Sequence, residues 1–429
     1  MTTTMVDRFL AAAGRQPRPR AVPGAGPVSG VIGDVGASGP AADLLRALTG
    51  VTGFAWGPDL VVRGQYPLPS GGGAHPLRIL VESVSGGLVR YHAGRHTFTG
   101  VPMTSRTPEL LDPADDESVT IVVTAQPERT TARYGDFGYY LICQEAGALL
   151  AQAHVVAETY GLRVRERLAF PGDILGPPVF ALADLVGDGA HRFRAEAPDQ
   201  HCRAEPWTGS AAADLHAAGA APSRPVGPQE TIAPASGRTL SLPAVEAVPL
   251  YPATGRRRSA AAGFGHDGIA VGALAGILDA ASRDLRYVDA YVWVLRVPGI
   301  APGSYRYDPA RRELIAGPSW RLLPELLPVR TETDLSLREA AAVVFVVGDP
   351  HGDAAWIRCQ QIESGAVTHR AALAATSCDL ESRIHLDVCD TWSDRLLGLD
   401  GRGPRSLAAL LVGSAPMRTA ARTATGSRP

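Results

Sequence analysis

The chain has few cysteines and almost no net charge. Its five cysteines, Cys143, Cys202, Cys359, Cys378 and Cys389, are odd in number. No two have CxxC spacing, so neither a disulfide framework nor a thiolate zinc site is indicated. No apolar run reaches the roughly 18 residues that a bilayer-spanning helix needs, and no basic start leads into an apolar secretory segment. A cytoplasmic location is therefore expected. The formal net charge is -2, from 41 basic and 43 acidic side chains. Such a balance gives no broad positive field, and hence no electrostatic case for nucleic acid or an anionic membrane. Several catalytic signatures are also missing. No GKS or GKT closes a P-loop, no GxGxxG opens an early βαβ unit, and there is no HExxH and no GxSxG elbow. His75, His92, His154, His266, His369 and His385 read as scattered polar or packing residues, and no metal site is expected.

What is present is enough for two hydrophobic cores. A chain of 429 residues with 45% hydrophobic side chains exceeds one ordinary core. Gly (47 residues) and Pro (35) are abundant, and with the many Ala and Arg they suggest a high-GC coding bias. That bias makes any single Ala, Gly or Arg poor evidence. Composition divides the chain into a Pro/Gly/Ala-rich flexible arm at 1–40, with a short helix at Met5–Ala13, a first domain at 41–207, a linker at 208–239, a second domain at 240–417 and a frayed tail at 418–429.

The two domains repeat one order of elements. LRILVESV (Leu77–Val84), a glycine turn and LVRY ending at Tyr91 match YVWVLRV (Tyr291–Val297), a Pro-Gly turn and SYRY ending at Tyr307. Both read as hairpins. Each is followed by an apolar strand, VTIVVTA at Val119–Ala125 and AAVVFVVG at Ala341–Gly348, and then by a long helix, from Tyr140 and from Trp356. Both helices carry Cys-Gln and then Glu-Ala-Gly or Glu-Ser-Gly. The interval from Tyr91 to Gly147 nearly equals that from Tyr307 to Gly365, which argues for duplication. Glycine within a helix costs about 1 kcal/mol relative to alanine, so Gly147 and Gly365 call for close helix packing, at the middle of a domain or at a domain–domain seam.

Two local clusters carry candidate chemistry. PLPSGGGAHP, Pro67–Pro76, offers backbone N–H groups unshielded by side chains, against which a flavin ring or a phosphate could lie; the alternative is a plain surface turn. GRRRS, Gly255–Ser259, sets three guanidinium groups and a hydroxyl before a helix, which suits a phosphate monoester. The alternative there is a solvated basic run.

These features resemble the SagB-type dehydrogenases, the nitroreductase-like branch that includes the azoline dehydrogenases of peptide natural-product biosynthesis. The first domain is similar through PSGGGAHPLRI, GGLVRY and VTIVVTAQPERTTARYGDFGYYLICQEAG, with Pro127–Gly147 the most specific stretch. The second is similar through RRRSAAAGFG, RVPGIAPGSYRYDPARREL and LLGLDG. The resemblance implies an α+β fold of tandem nitroreductase-like domains forming an intramolecular pseudo-dimer. It also implies FMN held between the two units, with an Arg-Arg-Ser from one at the phosphate and a Pro-Ser-Gly-Gly loop from the other near the ring. Here Arg257, Arg258 and Ser259 occur in the second domain alone, and Pro69, Ser70, Gly71 and Gly72 in the first alone. One composite FMN site is thus expected, with no obligate homodimer. The family's catalytic Lys-Tyr pair falls on Arg133 and Tyr134. Tyr134 would serve as acid or base and Arg133 would stabilise a developing anion.

The function implied is FMN-dependent oxidation of a thiazoline or oxazoline to the azole in antibiotic-like peptides. The expected partners are a modified precursor peptide and a cyclodehydratase complex. Two alternatives remain at this level: a flavin oxidoreductase acting on another modified peptide or small molecule, and a flavin-free scaffold in a peptide-modifying complex.

Overall fold

The computed structural model describes residues 35–56, 62–101, 118–168, 178–195, 207–220, 238–260, 263–317, 332–386, 391–399 and 402–416. The expected Met5–Ala13 helix, Cys202, Cys389 and the tail from Arg418 lie outside the described residues.

In chain order the first unit comprises β1 (Val35–Gly36), α1 (Gly39–Thr49), the hairpin β2 (Gly53–Trp56) and β3 (Val62–Gln65), then β4 (Leu77–Glu82), β5 (Leu88–His92), β6 (Thr97–Val101) and β7 (Ser118–Ala125). It continues through α2 (Glu128–Tyr134), α3 (Gly138–Thr159), β8 (Arg163–Arg167), β9 (Val179–Val186) and α4 (Ala211–Ala220). The second unit comprises β10 (Thr239–Ser241), α5 (Val271–Ala281), β11 (Asp289–Val294), β12 (Gly303–Asp308), β13 (Glu313–Ala316), α6 (Glu332–Glu339), β14 (Ala342–Gly348), α7 (Ala354–Ser377), β15 (Glu381–His385), α8 (Thr391–Leu396) and β16 (Arg405–Gly413).

Each unit builds a seven-stranded sheet, in the orders β1-β6-β5-β4-β7-β9-β8 and β10-β13-β12-β11-β14-β16-β15. The two orders correspond strand for strand, and the paired neighbours are antiparallel. The duplication read from the sequence is therefore a duplication of topology. Strands β7 and β14 are buried at every residue; β14 accordingly reads as a continuous apolar run, while β7 includes the buried hydroxyls of Ser118, Thr120 and Thr124. Both also slip register against their outer neighbour near their C-terminal ends, at Val123/Thr124 and Val346/Val347.

The long helices α3 and α7 lie against each other and form the seam between the units. Both are buried around most of their circumference, so neither shows the one-sided apolar stripe of a surface helix. They cross at the two glycines singled out above. A Cβ on Gly147 would fall 1.7 Å from the Ile362 carbonyl oxygen, and one on Gly365 would fall 1.9 Å from that of Gln144. Polar side chains flank the crossing: Gln144 Nε2 donates to Gln361 Oε1 at 2.8 Å, and His369 Nε2 donates to Gln152 Oε1 at 2.9 Å. Burial holds His369 well below its ordinary pKa, so the ring is neutral.

The interval 208–239, expected as linker, contains α4. Its Ala212, Ala213, Leu215 and His216 are buried, and Gly219 lies so close to α7 that a Cβ would meet the Ala354 carbonyl oxygen at 2.9 Å.

The units differ where it bears on function. In the second, residues 242–270 separate β10 from α5 and carry Arg257–Ser259; in the first, only Ala37 and Ser38 separate β1 from α1. Conversely, residues 50–76 separate α1 from β4 and carry the glycine loop, whereas only 282–288 separate α5 from β11. One unit carries the arginine segment and the other carries the long loop.

Candidate functional site

The Pro67–Pro76 loop leaves the β2–β3 hairpin and enters β4 through a short 3-10 turn at Gly71–Gly73. Gly72 and Gly73 adopt φ of 59° and 69°, a region open to glycine and costly for most other residues. The loop is anchored from α3. Glu145 accepts from Ser70 Oγ at 2.8 Å and from the Gly71 N–H at 3.0 Å, and Ser70 Oγ in turn accepts from the His75 N–H at 2.8 Å. Its counterpart on α7, Glu363, accepts from the N–H groups of Arg286 (2.8 Å), Tyr287 (2.6 Å) and Val288 (2.9 Å) in the short loop of the second unit. The Glu-Ala-Gly/Glu-Ser-Gly repeat thus marks a device by which each central helix clasps its own loop. The sequence displays the pair but does not say what it holds.

Burial raises both carboxyls, Glu145 to about 8 and Glu363 to about 7, against the opposing pull of the hydrogen bonds they accept. A folded-state pKa above the unfolded value means that the native state keeps a proton the unfolded chain releases. This contribution is intact below the unfolded pKa and is lost as pH rises through the folded one. Glu145→Gln keeps an oxygen acceptor for Ser70 and Gly71 without the ionisation. Wild type and variant should therefore unfold at similar temperatures near about pH 4.5, and the variant should be the more stable near about pH 8. Parallel Tm profiles across that range would contradict the clasp's titration.

Arg133 and Tyr134 end helix α2 beside the same loop. A Cβ on Gly72 would lie 2.5 Å from the Tyr134 hydroxyl and 2.8 Å from Arg133 Nη1, so the phenol and the guanidinium both abut this glycine. The Arg133 guanidinium also stands 5.3 Å from the centroid of the Tyr134 ring, within cation–π range. Arg133 Nε is buried and has no partner among the described residues.

The arginine segment approaches the loop from the second unit. Arg257 is buried; its Nε donates to the Pro67 carbonyl at 2.9 Å and Nη2 to the Tyr66 carbonyl at 3.5 Å. It thus ties the two units together. Arg258 Nη1 donates to the carbonyls of Gly255 and Arg257. Ser259 forms an isolated parallel bridge to Ser382 of β15, and the next residue, Ala260, donates its N–H to the Ser382 carbonyl at 2.9 Å. Of the expected residues, Arg257 thus reaches the start of the loop across the seam and Arg133 and Tyr134 abut Gly72, while Arg258 bonds its own segment and Ser259 bridges to β15. The sequence also contains no lysine at all, every basic residue of the 41 being arginine.

The pseudo-symmetric seam holds a cavity of about 890 Å³ lined by β8, the 282–288 loop and α7. Its lining mixes arginines with the carboxyl groups of Glu158, Glu166, Asp284 and Glu363; Arg165 and Arg167 bond Asp184 behind it at 3.1 and 2.7 Å, and His154 stands 2.9 Å from Glu166. Among the described residues, no Arg-Arg-Ser segment reaches it. Nor does any group of histidine, cysteine and carboxylate side chains there assemble a metal site. No described helix is long and apolar enough to cross a membrane.

A solved structure from Anabaena variabilis, designated a nitroreductase, aligns with 96% of this chain and 100% of its own at a TM-score of 0.74 and 17% identity. The chain has the nitroreductase fold. Because the alignment runs through both units, the fold extends over the tandem arrangement and not over one half alone. A nitroreductase-designated structure from Ralstonia eutropha aligns with 45% of the chain and 99% of its own (TM-score 0.34, 18% identity). The E. coli microcin synthetase complex with truncated pro-peptide bound aligns with 37% of this chain and 69% of its own (TM-score 0.33, 15% identity). No protein-family model and no curated protein matches the sequence.

Proposed function

We propose that this nitroreductase-fold protein is an FMN-dependent oxidoreductase that converts thiazolines or oxazolines of a modified precursor peptide to azoles. The observation that carries the reading is the meeting of Arg257 from one unit with the Pro67–Gly72 loop of the other, beside Tyr134 and Arg133.

The residues present fit a flavin. Arg257, Arg258 and Ser259 would hold the phosphate through charge-assisted bonds. Pro69, Ser70, Gly71 and Gly72 would lie near the ring, in the loop that Tyr134 and Arg133 abut. The buried, unpartnered Arg133 Nε is a donor that needs an acceptor, which a ligand at this loop would supply. When bound, FMN supplies a two-electron acceptor.

Aromatisation removes two hydrogens from the ring, one of them as a proton. A guanidinium does not release its proton near neutrality, and the chain has no lysine. We assign that proton to Tyr134, whose phenolate form would accept it, with Arg133 stabilising the anion that develops. A cyclodehydratase complex, which would form the azoline, is the partner class that fits. A second reading, favoured by arginine in place of the family's lysine at position 133, is a flavin oxidoreductase acting on a different modified peptide or small molecule.

Tyr134→Phe separates chemistry from binding. With a synthetic thiazoline-containing peptide, kcat should fall at least about a hundredfold, as expected for loss of a general acid–base group, while FMN content stays at the wild-type level. Turnover at the wild-type rate with normal flavin content would remove Tyr134 from the mechanism.

A further inference from the structure

A second cavity, of about 510 Å³, lies beside the glycine loop and is lined entirely by the first unit. Its lining includes His75, Arg78, Arg90, Arg129 and Glu145; neither Arg133, Tyr134 nor the Arg257–Ser259 segment contributes. Arg95 and His92 also line it, and among the described residues Glu145 is its one carboxyl.

Two of these arginines, Arg78 and Arg129, are held by neutral groups. Arg78 is fixed by neutral acceptors: Nη1 donates to the carbonyls of His75 (3.1 Å) and Leu77 (2.7 Å), and Nη2 donates to Gln126 Oε1. Arg129 Nε donates to the Ala74 carbonyl at 2.9 Å. Neither makes an ion pair among the described residues. Glu145 is occupied by Ser70 and Gly71, and with its pKa raised to about 8 it is mostly protonated near neutrality. Burial first, then the neighbouring Arg90 and Arg129, push Arg78 down to about 9. Burial first, then Arg129, Arg78 and Arg257, push His75 down to about 4. Arg78 and Arg129, neither ion-paired, repel one another at this concave site, and an anion placed between them relieves the repulsion. The volume exceeds that of a lone ion and falls within the range of small-ligand sites.

We propose that this cavity binds the oxyanion group, carboxylate or phosphate, of a ligand other than the flavin, with Arg78 and Arg129 as its principal donors. Arg129 stands one helical turn before Arg133 on α2, so an anion held there neighbours the candidate proton-transfer pair. An acidic group on the substrate is one source of the oxyanion and a free phosphate compound is the other.

Calorimetric titration of the full chain with inorganic phosphate, and separately with N-acetyl-triglutamate amide, tests the proposal. At least one probe should bind saturably. Preferential binding of the peptide points to a substrate carboxylate, and preferential binding of phosphate to a free phosphate compound. Arg78→Gln with Arg129→Gln should weaken binding at least about tenfold, as for a lost charge-assisted bond. Arg163→Gln, in the other cavity, should leave it unchanged. A readout on the unmodified protein guards against misfolded variants: the His75 titration, followed by NMR of labelled histidine, should move upward with saturating probe. The proposal is overturned if neither probe binds, if the double variant binds as wild type, or if His75 titrates identically with and without probe. It is also overturned if the double variant loses FMN as fully as a variant lacking Arg257 and Arg258 does, because the cavity would then belong to the cofactor.

Discussion

Replacing Gly147 or Gly365 with alanine is expected to destabilise the protein by at least about 3 kcal/mol each, the upper end of what overpacking costs. The added methyl would lie 1.7 Å from the Ile362 carbonyl oxygen in one case and 1.9 Å from that of Gln144 in the other. Both obstacles are helix backbone, which cannot rotate away as a side chain can. Separating α3 from α7 would stretch the Gln144–Gln361 and Gln152–His369 hydrogen bonds and leave buried polar groups without partners. The sign is diagnostic, because glycine to alanine in an unencumbered helix stabilises by up to about 1 kcal/mol. Gly272→Ala, whose Cβ would meet only Val245 at 3.7 Å, is the matched control and should be neutral or stabilising. Urea midpoints compare the three variants, and a Gly147→Ala midpoint equal to wild type would mean that the helices do not cross here.

The second large effect concerns flavin retention. Arg257→Ala combined with Arg258→Ala should abolish it, since both guanidinium groups assigned to the phosphate are lost. The structure adds a cost that the sequence did not foresee. Arg257 also bonds the Pro67 and Tyr66 carbonyls across the seam, so its removal should lower stability by about 1–3 kcal/mol as those acceptors lose their partner. Arg258 is only partly buried and its hydrogen bonds run to carbonyls of its own segment. Arg258→Ala alone therefore gives the cleaner comparison, with weakened flavin binding and little change in Tm. Full FMN retention by the double variant, measured on folded protein, would remove this segment from the cofactor site.

Both large effects depend on features that were legible in the sequence to different degrees. The largely apolar β7 and β14 and the repeated hairpins before them carry strong local signals, and the tandem fold followed from their matched order. Gly147 and Gly365 could be recognised as needing a close neighbour, but nothing in one sequence says that each is the other's neighbour. Helix α4 escaped detection because its alanines were indistinguishable from coding bias; it is helical because its apolar face finds α7 and the Tyr139–Trp207 aromatic cluster. Glu145 and Glu363 were visible as repeat markers, yet their role depends on which loop folds back onto each helix. Arg78 and Arg129 lie far apart in the chain, and only the pairing of β4 with β7, which starts α2 beside the His75 end of the loop, brings them to one cavity. Residues whose meaning lies in a tertiary partner were the ones that sequence alone left unread.

The central claim is that the two units share one composite flavin site, because the arginine segment survives in one unit and the long glycine loop in the other. The most direct measurement is flavin released per chain after reconstitution of the full-length protein with excess FMN and removal of unbound cofactor. The account predicts one FMN per chain, lost in the Arg257/Arg258 double variant. Two per chain would show that the pseudo-symmetric cavity also binds flavin, and a value near zero would show that neither seam does; either result contradicts the composite site.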